Sequence, residues 1–230
     1  MTKYRSQAEA IRGLALVWHQ LRAYLQPGLT EKQVARRLGF LLNKAGFPKP
    51  AFRFIVAAGS NAAQPHHRPT NRRLKKGQPI KIDFGVRHRG WCTDVTRTVF
   101  LGQPTAFQRK IYRIVLKAQA AAARKLNPGA DTLLVDATAR QVITQAGFGK
   151  YFIHSTGHAV GRHIHERPFL SPKPKSRSTL RVGDVVTVEP GIYLPGRIGI
   201  RIEDMYLITR TGCRCLTKAL PKQLAEVVWL

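Results

Sequence analysis

Acidic residues are scarce in this chain. Its 230 residues include only 12 aspartates and glutamates against 39 lysines and arginines, so the formal net charge is +27. Such a charge predicts weak, nonspecific association with nucleic acid or ribosomes. The basic residues are spread along the whole chain, however, and a basic bias shared by an entire proteome is the simpler explanation. Because so few carboxylates are present, those that recur at patterned apolar positions are candidates for a functional site.

Cysteine and long apolar runs are scarce as well. The three cysteines, Cys92, Cys213 and Cys215, form an odd and sparse set. Cys213 and Cys215 are too closely spaced for an ordinary zinc knuckle, and we interpret this pair as reduced thiols at a strand end. No apolar run reaches the roughly 18 residues of a membrane span. The N-terminus lacks the apolar segment and cleavage site of a signal peptide. We therefore expect a cytoplasmic protein with no membrane partner.

Two predicted helices precede a set of strands in each half of the chain. Apolar residues at helical spacing predict a helix over 6–25, and capping-box patterns at Thr30 and Thr105 open two more. Asp131 caps a fourth helix, which runs to Gly147. The other predicted elements are a strand over 51–58, a loop over 59–71, strands around 151–164, 184–194 and 199–209, and a short helix from Pro221.

The stretch from Ile80 to Phe100 predicts two strands joined by a tight basic turn at 88–90. One strand carries Asp83 and the other carries Asp94, both among apolar neighbours. Burying an unpaired carboxylate costs several kcal/mol, so two that meet across a hairpin require a cation between them. The alternative is that each aspartate caps a turn or pairs with an arginine.

A repeat in the sequence gives each aspartate a counterpart. The first half contains Leu25-Gln-Pro-Gly followed later by Ala-Gly-Phe, and the second half contains Leu126-Asn-Pro-Gly followed later by another Ala-Gly-Phe. Continuing the alignment places Glu189 and Glu203 at the positions of the two aspartates. If the halves pack about a pseudo-two-fold axis, the four carboxylates converge, and they cannot all ionise without cations. Oxygen ligands suit Mn²⁺, Mg²⁺ or Fe²⁺, and an imidazole shifts the preference toward Mn²⁺, Co²⁺ or Zn²⁺. Chance similarity between helices is the alternative to a true repeat.

A histidine-rich strand at 154–166 supplies imidazole groups. With it, five segments resemble, in sequence and in order, the pita-bread metallopeptidases, which comprise methionine aminopeptidases, Xaa-Pro aminopeptidases and prolidases. The segments are Ile82-Asp83-Phe84-Gly85, Thr93-Asp94-Val95-Thr96-Arg97-Thr98, Thr156-Gly157-His158, Val188-Glu189-Pro190-Gly191-Ile192-Tyr193 and Arg201-Ile202-Glu203-Asp204. The resemblance extends over almost the whole chain.

The resemblance implies an α+β pita-bread fold, in which pseudo-two-fold duplicated ααββ units pack their helices on a curved antiparallel sheet. The two units would span about 6–100 and 104–210. We expect residues 1–230 to form a single catalytic domain, without the creatinase-type N-terminal domain that Xaa-Pro enzymes usually carry. The oligomeric state is open, and a homodimer is one option.

The resemblance also implies a role for each site residue. Two divalent ions, with Mn²⁺ favoured over Co²⁺, Zn²⁺ or Fe²⁺, would share a hydroxide that attacks the first peptide carbonyl. Asp83 would bind one ion, His158 and Glu189 the other, and Asp94 and Glu203 would bridge both. The further implied roles are Glu189 as general base, His66 as donor to the scissile group (with His67 the alternative), His165 as stabiliser of the oxyanion, and His154, Tyr193 and Arg201 as substrate-binding residues.

Two features favour the Xaa-Pro branch of this family. Arg201 stands two residues before Glu203, and residues 189–196 are similar to the Xaa-Pro enzymes, whereas methionine aminopeptidases commonly have Gln-Phe-Glu-His around that glutamate. A structural ion pair of Arg201 with Asp204 or a bridging acid is the other interpretation. We therefore expect an exopeptidase acting on peptides with a free N-terminus. A methionine aminopeptidase is the nearest alternative. A non-catalytic basic module that binds protein or nucleic acid is less favoured, because all five ligand residues are present.

Overall fold

The computed structural model describes residues 3–224 and 226–227. In this part of the chain no helix combines the length and the apolar character needed to cross a bilayer. The α-helices formed by these residues are α1 (Lys3–Tyr24), α2 (Glu31–Lys44), α3 (Ala106–Ala123) and α4 (Thr132–Gln145).

The predicted caps begin three of these helices. Thr30 Oγ1 accepts a hydrogen bond from Gln33 N at 3.1 Å, and Thr30 N donates to Gln33 Oε1 at 2.7 Å. Thr105 and Gln108 form the same reciprocal box at α3, and the Asp131 side chain caps α4. Each cap satisfies backbone N–H groups that have no partner inside the helix, and all three predictions are confirmed.

The strands form two main sheets and two short ribbons. The strands are β1 (Ile55–Ala58), β2 (Pro79–Phe84), β3 (Arg87–His88), β4 (Trp91–Cys92), β5 (Val95–Leu101), β6 (Gly157–Ala159), β7 (Glu166–Leu170), β8 (Val185–Val188), β9 (Gly191–Leu194), β10 (Ile198–Arg201), β11 (Asp204–Thr209), β12 (Gly212–Cys215) and β13 (Glu226–Val227). One sheet has the order β1-β2-β5-β13 and the other the order β12-β11-β8-β6-β7, while β9 pairs with β10 and β3 with β4. Pairing among the described strands is antiparallel except between β5 and β13.

The two halves use the same backbone connections. Gly28 N donates to Leu74 O at 2.9 Å, and in the second half Gly129 N donates to Leu180 O at 2.8 Å. Both glycines have positive φ, 90° and 82°, a conformation that glycine adopts without strain. The Pro-Gly sequence that ends each first helix thus turns the chain onto the same neighbour in each half.

Each pair of helices covers its own sheet. Apolar residues of α1 and α2, among them Leu14, Trp18 and Leu38, pack on β1, β2 and β5 in one buried cluster. A second cluster joins α3 and α4 to the other sheet and to the β9–β10 ribbon through residues such as Val115 and Val135. The sheet faces turned away from these helices are left to build the site.

Several predicted boundaries differ from the structure. The first predicted strand begins only at Ile55, and the predicted loop contains a 3₁₀ helix, Gly59–Ala63. The β2–β5 pairing ends at Phe84, and the basic turn closes the separate β3–β4 ribbon. The helix predicted from Pro221 is wrong. Residues 226–227 instead pair in parallel with the outer edge of β5, where a strand satisfies backbone groups that an edge would leave unpaired.

Candidate active site

Five predicted ligand residues border one cavity of about 520 Å³. Asp83 lies on β2, Asp94 directly precedes β5, His158 lies on β6, Glu189 directly follows β8, and Glu203 lies between β10 and β11. Strand ends and strand centres from both halves therefore place residues that are far apart in the sequence around one space.

The closest approach in this group is between His158 and two carboxylates. His158 Nε2 lies 3.3 Å from Glu189 Oε1 and 3.6 Å from Asp94 Oδ2. On the other side of the ring, Nδ1 lies 3.1 Å from the Ala159 carbonyl oxygen, which can only accept, so Nδ1 carries a proton and Nε2 faces the carboxylates. One ligand atom each from Asp94, His158 and Glu203 lie within 4.8 Å of one another. This spacing is suitable for a shared cation.

The carboxylates are buried close to one another, and their electrostatics reflect it. Burial, and then Glu203 itself, raise the pKa of Asp94 well above its usual range. Burial, and then Glu189, raise that of Glu203 in the same way. Burial also raises the pKa of Asp83, and the positive charge of Arg201 partly offsets this rise. Glu189 differs, because burial, which raises its pKa, is outweighed by the hydrogen bond from His158 together with the charges of His158, His154 and Arg201, and the pKa is lowered to about 2. Without added positive charge, the site therefore resists full ionisation.

Two carboxylate oxygens at the site have no hydrogen-bond partner. Asp83 Oδ1 and Glu203 Oε1 are fully buried and unpaired, although buried oxygens of this kind normally accept at least one hydrogen bond. Four carboxylates and one imidazole form a donor set that suits divalent ions such as Mn²⁺ or Co²⁺. The donor set fits the metals that the sequence predicts, and Asp83, Asp94, His158, Glu189 and Glu203 can hold them.

Arg201 is the cation nearest to these carboxylates. It is 2 % exposed, its Nη2 donates to Asp83 Oδ2, and its Nε donates to Thr96 Oγ1 at 3.0 Å. Thr96 Oγ1 in turn donates to Glu203 Oε2 at 2.7 Å. Of the alternative ion pairs, the one with Asp204 does not form, because Asp204 pairs with Arg97. Arg201 thus braces two of the predicted ligands.

The three predicted histidines outside the ligand set also line the cavity. Burial lowers the pKa of His154 to about 4, and its Nε2 lies 2.7 Å from the Tyr193 hydroxyl. The rings of His165 and His158 meet edge to face, 4.4 Å between centroids. Burial, followed by Arg201, lowers the pKa of His66. Both His154 and His66 are therefore neutral near pH 7.

Neither Tyr193 nor His67 is placed for direct contact with substrate. Tyr193 is 2 % exposed and lies behind His154 and Arg201. Arg201 Nη1 donates a hydrogen bond to the Tyr193 hydroxyl at 3.1 Å. His67, the alternative to His66, is 7 % exposed and its Nε2 lies 2.8 Å from Glu31 Oε2. His66 is exposed toward the cavity and feels the charges of Arg201 and Glu189, so the geometry favours His66.

Sequence reasoning missed the carboxylates that hold the histidine-bearing loops. Glu31, at the start of α2, accepts from Ala58 N at 2.8 Å and Thr70 N at 2.9 Å, besides its contact with His67. In the second half, Asp136 of α4 accepts from Thr156 N at 2.9 Å, two residues before His158. The only sequence signal is that both acids stand on the helices that precede the loops.

The duplicated fold and the clustered carboxylates define a protein of the pita-bread class. The chain belongs to metallopeptidase family M24, whose model matches residues 6–210. It is 42% identical over 191 residues to the Xaa-Pro dipeptidase of Pyrococcus furiosus; the match covers 83% of this chain and 54% of that protein. The chain thus spans about half the length of this relative.

Solved structures agree with this assignment. An X-Pro aminopeptidase from Thermotoga maritima superposes with a TM-score of 0.94 at 35% identity, covering 98% of this chain and 63% of that one. A prolidase from Thermococcus sibiricus gives a TM-score of 0.93 at 39% identity, covering 97% and 60%. The fold predicted from the sequence is therefore confirmed.

Proposed function

We propose that this chain is a metal-dependent exopeptidase that hydrolyses the first peptide bond of peptides with proline in the second position. The convergence of five donor residues, two with unpartnered buried oxygens, on a cavity that His66, His154 and His165 also line supports the proposal. The names of the relatives support the preference for proline, which the cavity alone does not specify.

In the proposed reaction Asp83 would hold one metal ion, His158 and Glu189 would hold a second, and Asp94 and Glu203 would be ligands of both. When bound, the metal pair lowers the pKa of water and polarises the carbonyl that is attacked. The resemblance assigns Glu189 the role of general base, and its position at the cavity agrees with this role.

The neutral histidines supply hydrogen bonds. His66 lies on the exposed side of the cavity, where its ring can donate to the scissile group. His165 contacts the His158 ring edge to face, where it can stabilise the developing oxyanion. Tyr193 takes a supporting role instead of the substrate-binding role first predicted, since its hydroxyl bonds His154 and Arg201.

Substrates longer than a dipeptide fit the shape of this region. A second cavity of about 690 Å³ shares His66, His67 and Arg68 with the first. A peptide whose first bond lies at the carboxylates can therefore continue into this open space. We infer an aminopeptidase in preference to a strict dipeptidase.

A cleavage panel tests the proposal. Metal-free protein is reconstituted separately with Mn²⁺, Co²⁺, Zn²⁺ and Fe²⁺ and supplied with Ala-Pro, Ala-Pro-Ala-Ala and Met-Ala-Ser-Ala. We expect release of alanine from both proline peptides, with the tetrapeptide cleaved at least as well as the dipeptide. Release of methionine from Met-Ala-Ser-Ala, without cleavage of either proline peptide, would instead identify a methionine aminopeptidase. No cleavage, together with much less than one bound ion per chain, would favour the non-catalytic module.

A further inference from the structure

A buried lysine lies beneath the loop that carries His66. Lys81 of β2 has no solvent exposure, and its side chain is on the same face of the strand as Asp83, two residues later. Its Nζ donates to three backbone carbonyls, those of Gln64 at 2.6 Å, Ala62 at 3.0 Å and Pro65 at 3.3 Å. All three acceptors belong to the segment directly before His66.

The contacts of Lys81 are those of a brace. No carboxylate among the described residues lies within ion-pair distance of its Nζ, which instead lies 5.0 Å from the centre of the Tyr193 ring. An ammonium group has three N–H donors and no acceptor, so three carbonyls and an aromatic face satisfy it. Burying this group in a strand is costly, and only an ordered loop returns the lost hydrogen bonds.

The same segment is fixed from other directions. Arg201 Nη1 donates to the Pro65 carbonyl at 3.1 Å, so one loop carbonyl receives both cations. A side chain at Gly199 of β10 would collide with the Ala62 carbonyl oxygen, which shows how closely the loop passes. On the outer side, Glu31 accepts from Asn61 Nδ2 at 3.0 Å. The loop backbone is thereby held between donors below and an acceptor above.

We propose that Lys81 is a positioning residue that sets the place of the His66 ring over the carboxylates by fixing the carbonyls of residues 62, 64 and 65. The inference rests on the proposed role of His66 as a hydrogen-bond donor to substrate. Lys81 itself touches neither substrate nor the predicted ligands. Its loss would therefore displace one catalytic group and leave the metal-binding residues intact.

A double-mutant cycle tests the proposal. Lys81→Met keeps most of the length of the side chain and removes its donors. We expect kcat for Ala-Pro-Ala-Ala to fall about 10- to 100-fold, because a displacement of about 1 Å can cost a hundredfold, while KM changes by less than about threefold. In a His66→Ala background the same substitution should change kcat by less than about twofold. Lys81→Arg, which keeps donors and charge, should recover part of the loss.

Two further measurements separate positioning from a general loss of stability. Ile80→Ala, one residue earlier and facing the core of α1 and α2, destabilises the same strand and should leave kcat within about twofold. Hydrogen exchange of the metal-free proteins should be faster over residues 59–70 in Lys81→Met than in Ile80→Ala. An equal loss of kcat with and without His66, or unchanged exchange in this loop, would overturn the inference. If the wild type cleaves no proline peptide, the proposed function fails, and the exchange comparison still decides the contact between Lys81 and the loop.

Discussion

Replacing Asp94 with asparagine separates the effect of its charge from that of its shape. In the metal-free protein, burial and then Glu203 raise the pKa of Asp94 well above its usual range. A carboxyl group with a raised folded-state pKa stabilises the fold below its unfolded pKa of about 3.9, and this contribution is lost as the pH rises through the folded-state value. At pH 7.5 the metal-free wild type therefore bears a cost that Asp94→Asn does not.

Metal reverses this order. At a free ion concentration 100-fold above Kd, binding adds about 2.7 kcal/mol per ion to the free energy of unfolding. Loss of an outer-shell partner weakens metal binding by up to about a hundredfold. Loss of a shared ligand should weaken it at least as much. The gain at the same concentration then falls to about 0.4 kcal/mol. We expect almost no peptidase activity in this variant.

Urea unfolding at pH 5.0 and pH 7.5, with EDTA or with Mn²⁺, measures both effects. Without metal, Asp94→Asn should be at least as stable as the wild type at pH 7.5, and its advantage should shrink at pH 5.0. Asp131→Asn is the matched control, because asparagine also caps a helix and Asp131 lies away from the cavity. The reasoning is refuted if Asp94→Asn is the less stable protein at pH 7.5 without metal, or gains as much from Mn²⁺ as the wild type.

Three further predictions follow from single contacts. The pKa of His154, lowered to about 4, costs the wild type about 1–2 kcal/mol of stability between pH 7 and pH 5, since only the unfolded ring protonates there; urea titrations should show a shallower pH dependence in His154→Gln. Gly157→Ala should weaken Mn²⁺ binding about 10- to 100-fold by calorimetry, because the new side chain would collide with the Thr187 carbonyl beside His158. The exposed arginines Arg53 and Arg68 line the cavity; replacing either with glutamine should lower kcat/KM for Ala-Pro-Asp-Ala relative to Ala-Pro-Asn-Ala by roughly fivefold at low salt, and by much less at 0.5 M NaCl.

The sequence determines the helices and the ligand candidates because both depend on local or repeated signals. Thr30 and Thr105 with their partners three residues later define helix starts wherever they occur. The recurring acids could be aligned without any structure, since the Pro-Gly turns of the two halves fix the correspondence. Both kinds of signal are independent of which faces of the elements finally meet.

Contacts between secondary-structure elements were harder to predict from the sequence. Arg201 pairs with Asp83, 118 positions earlier in the chain, and Asp204, three positions after Arg201, pairs with Arg97 instead. Proximity in the sequence is therefore misleading there. Lys81 alternates with Ile80 and Ile82, a pattern typical of a charged residue on the exposed face of a strand. Its burial depends on the carbonyls of a loop 16–19 positions earlier in the chain, which no periodicity reveals. The strand at 226–227 likewise depends on the free edge of β5.

Buried carboxylates at the cavity and elsewhere in this chain differ in their hydrogen-bond partners, and this difference argues for cations at the cavity. Away from it, buried carboxylates are fully supplied with donors: Glu31 accepts from Ala58, Asn61, His67 and Thr70, and Asp204 from Arg97, Thr217 and Lys222. Hydrogen bonds and positive charge there outweigh burial, and the pKa values of both groups are lowered. At the cavity the balance is opposite for Asp83, Asp94 and Glu203, although not for Glu189, which is hydrogen-bonded to His158. The pKa values of Asp94 and Glu203 are raised, and among the described carboxylates it is Asp83 and Glu203 that keep a buried oxygen without a partner. A chain with 39 basic residues had many ways to neutralise these groups, yet among the described lysines and arginines only Arg201 forms ion pairs with them. The missing positive charge is therefore best supplied by bound divalent metal.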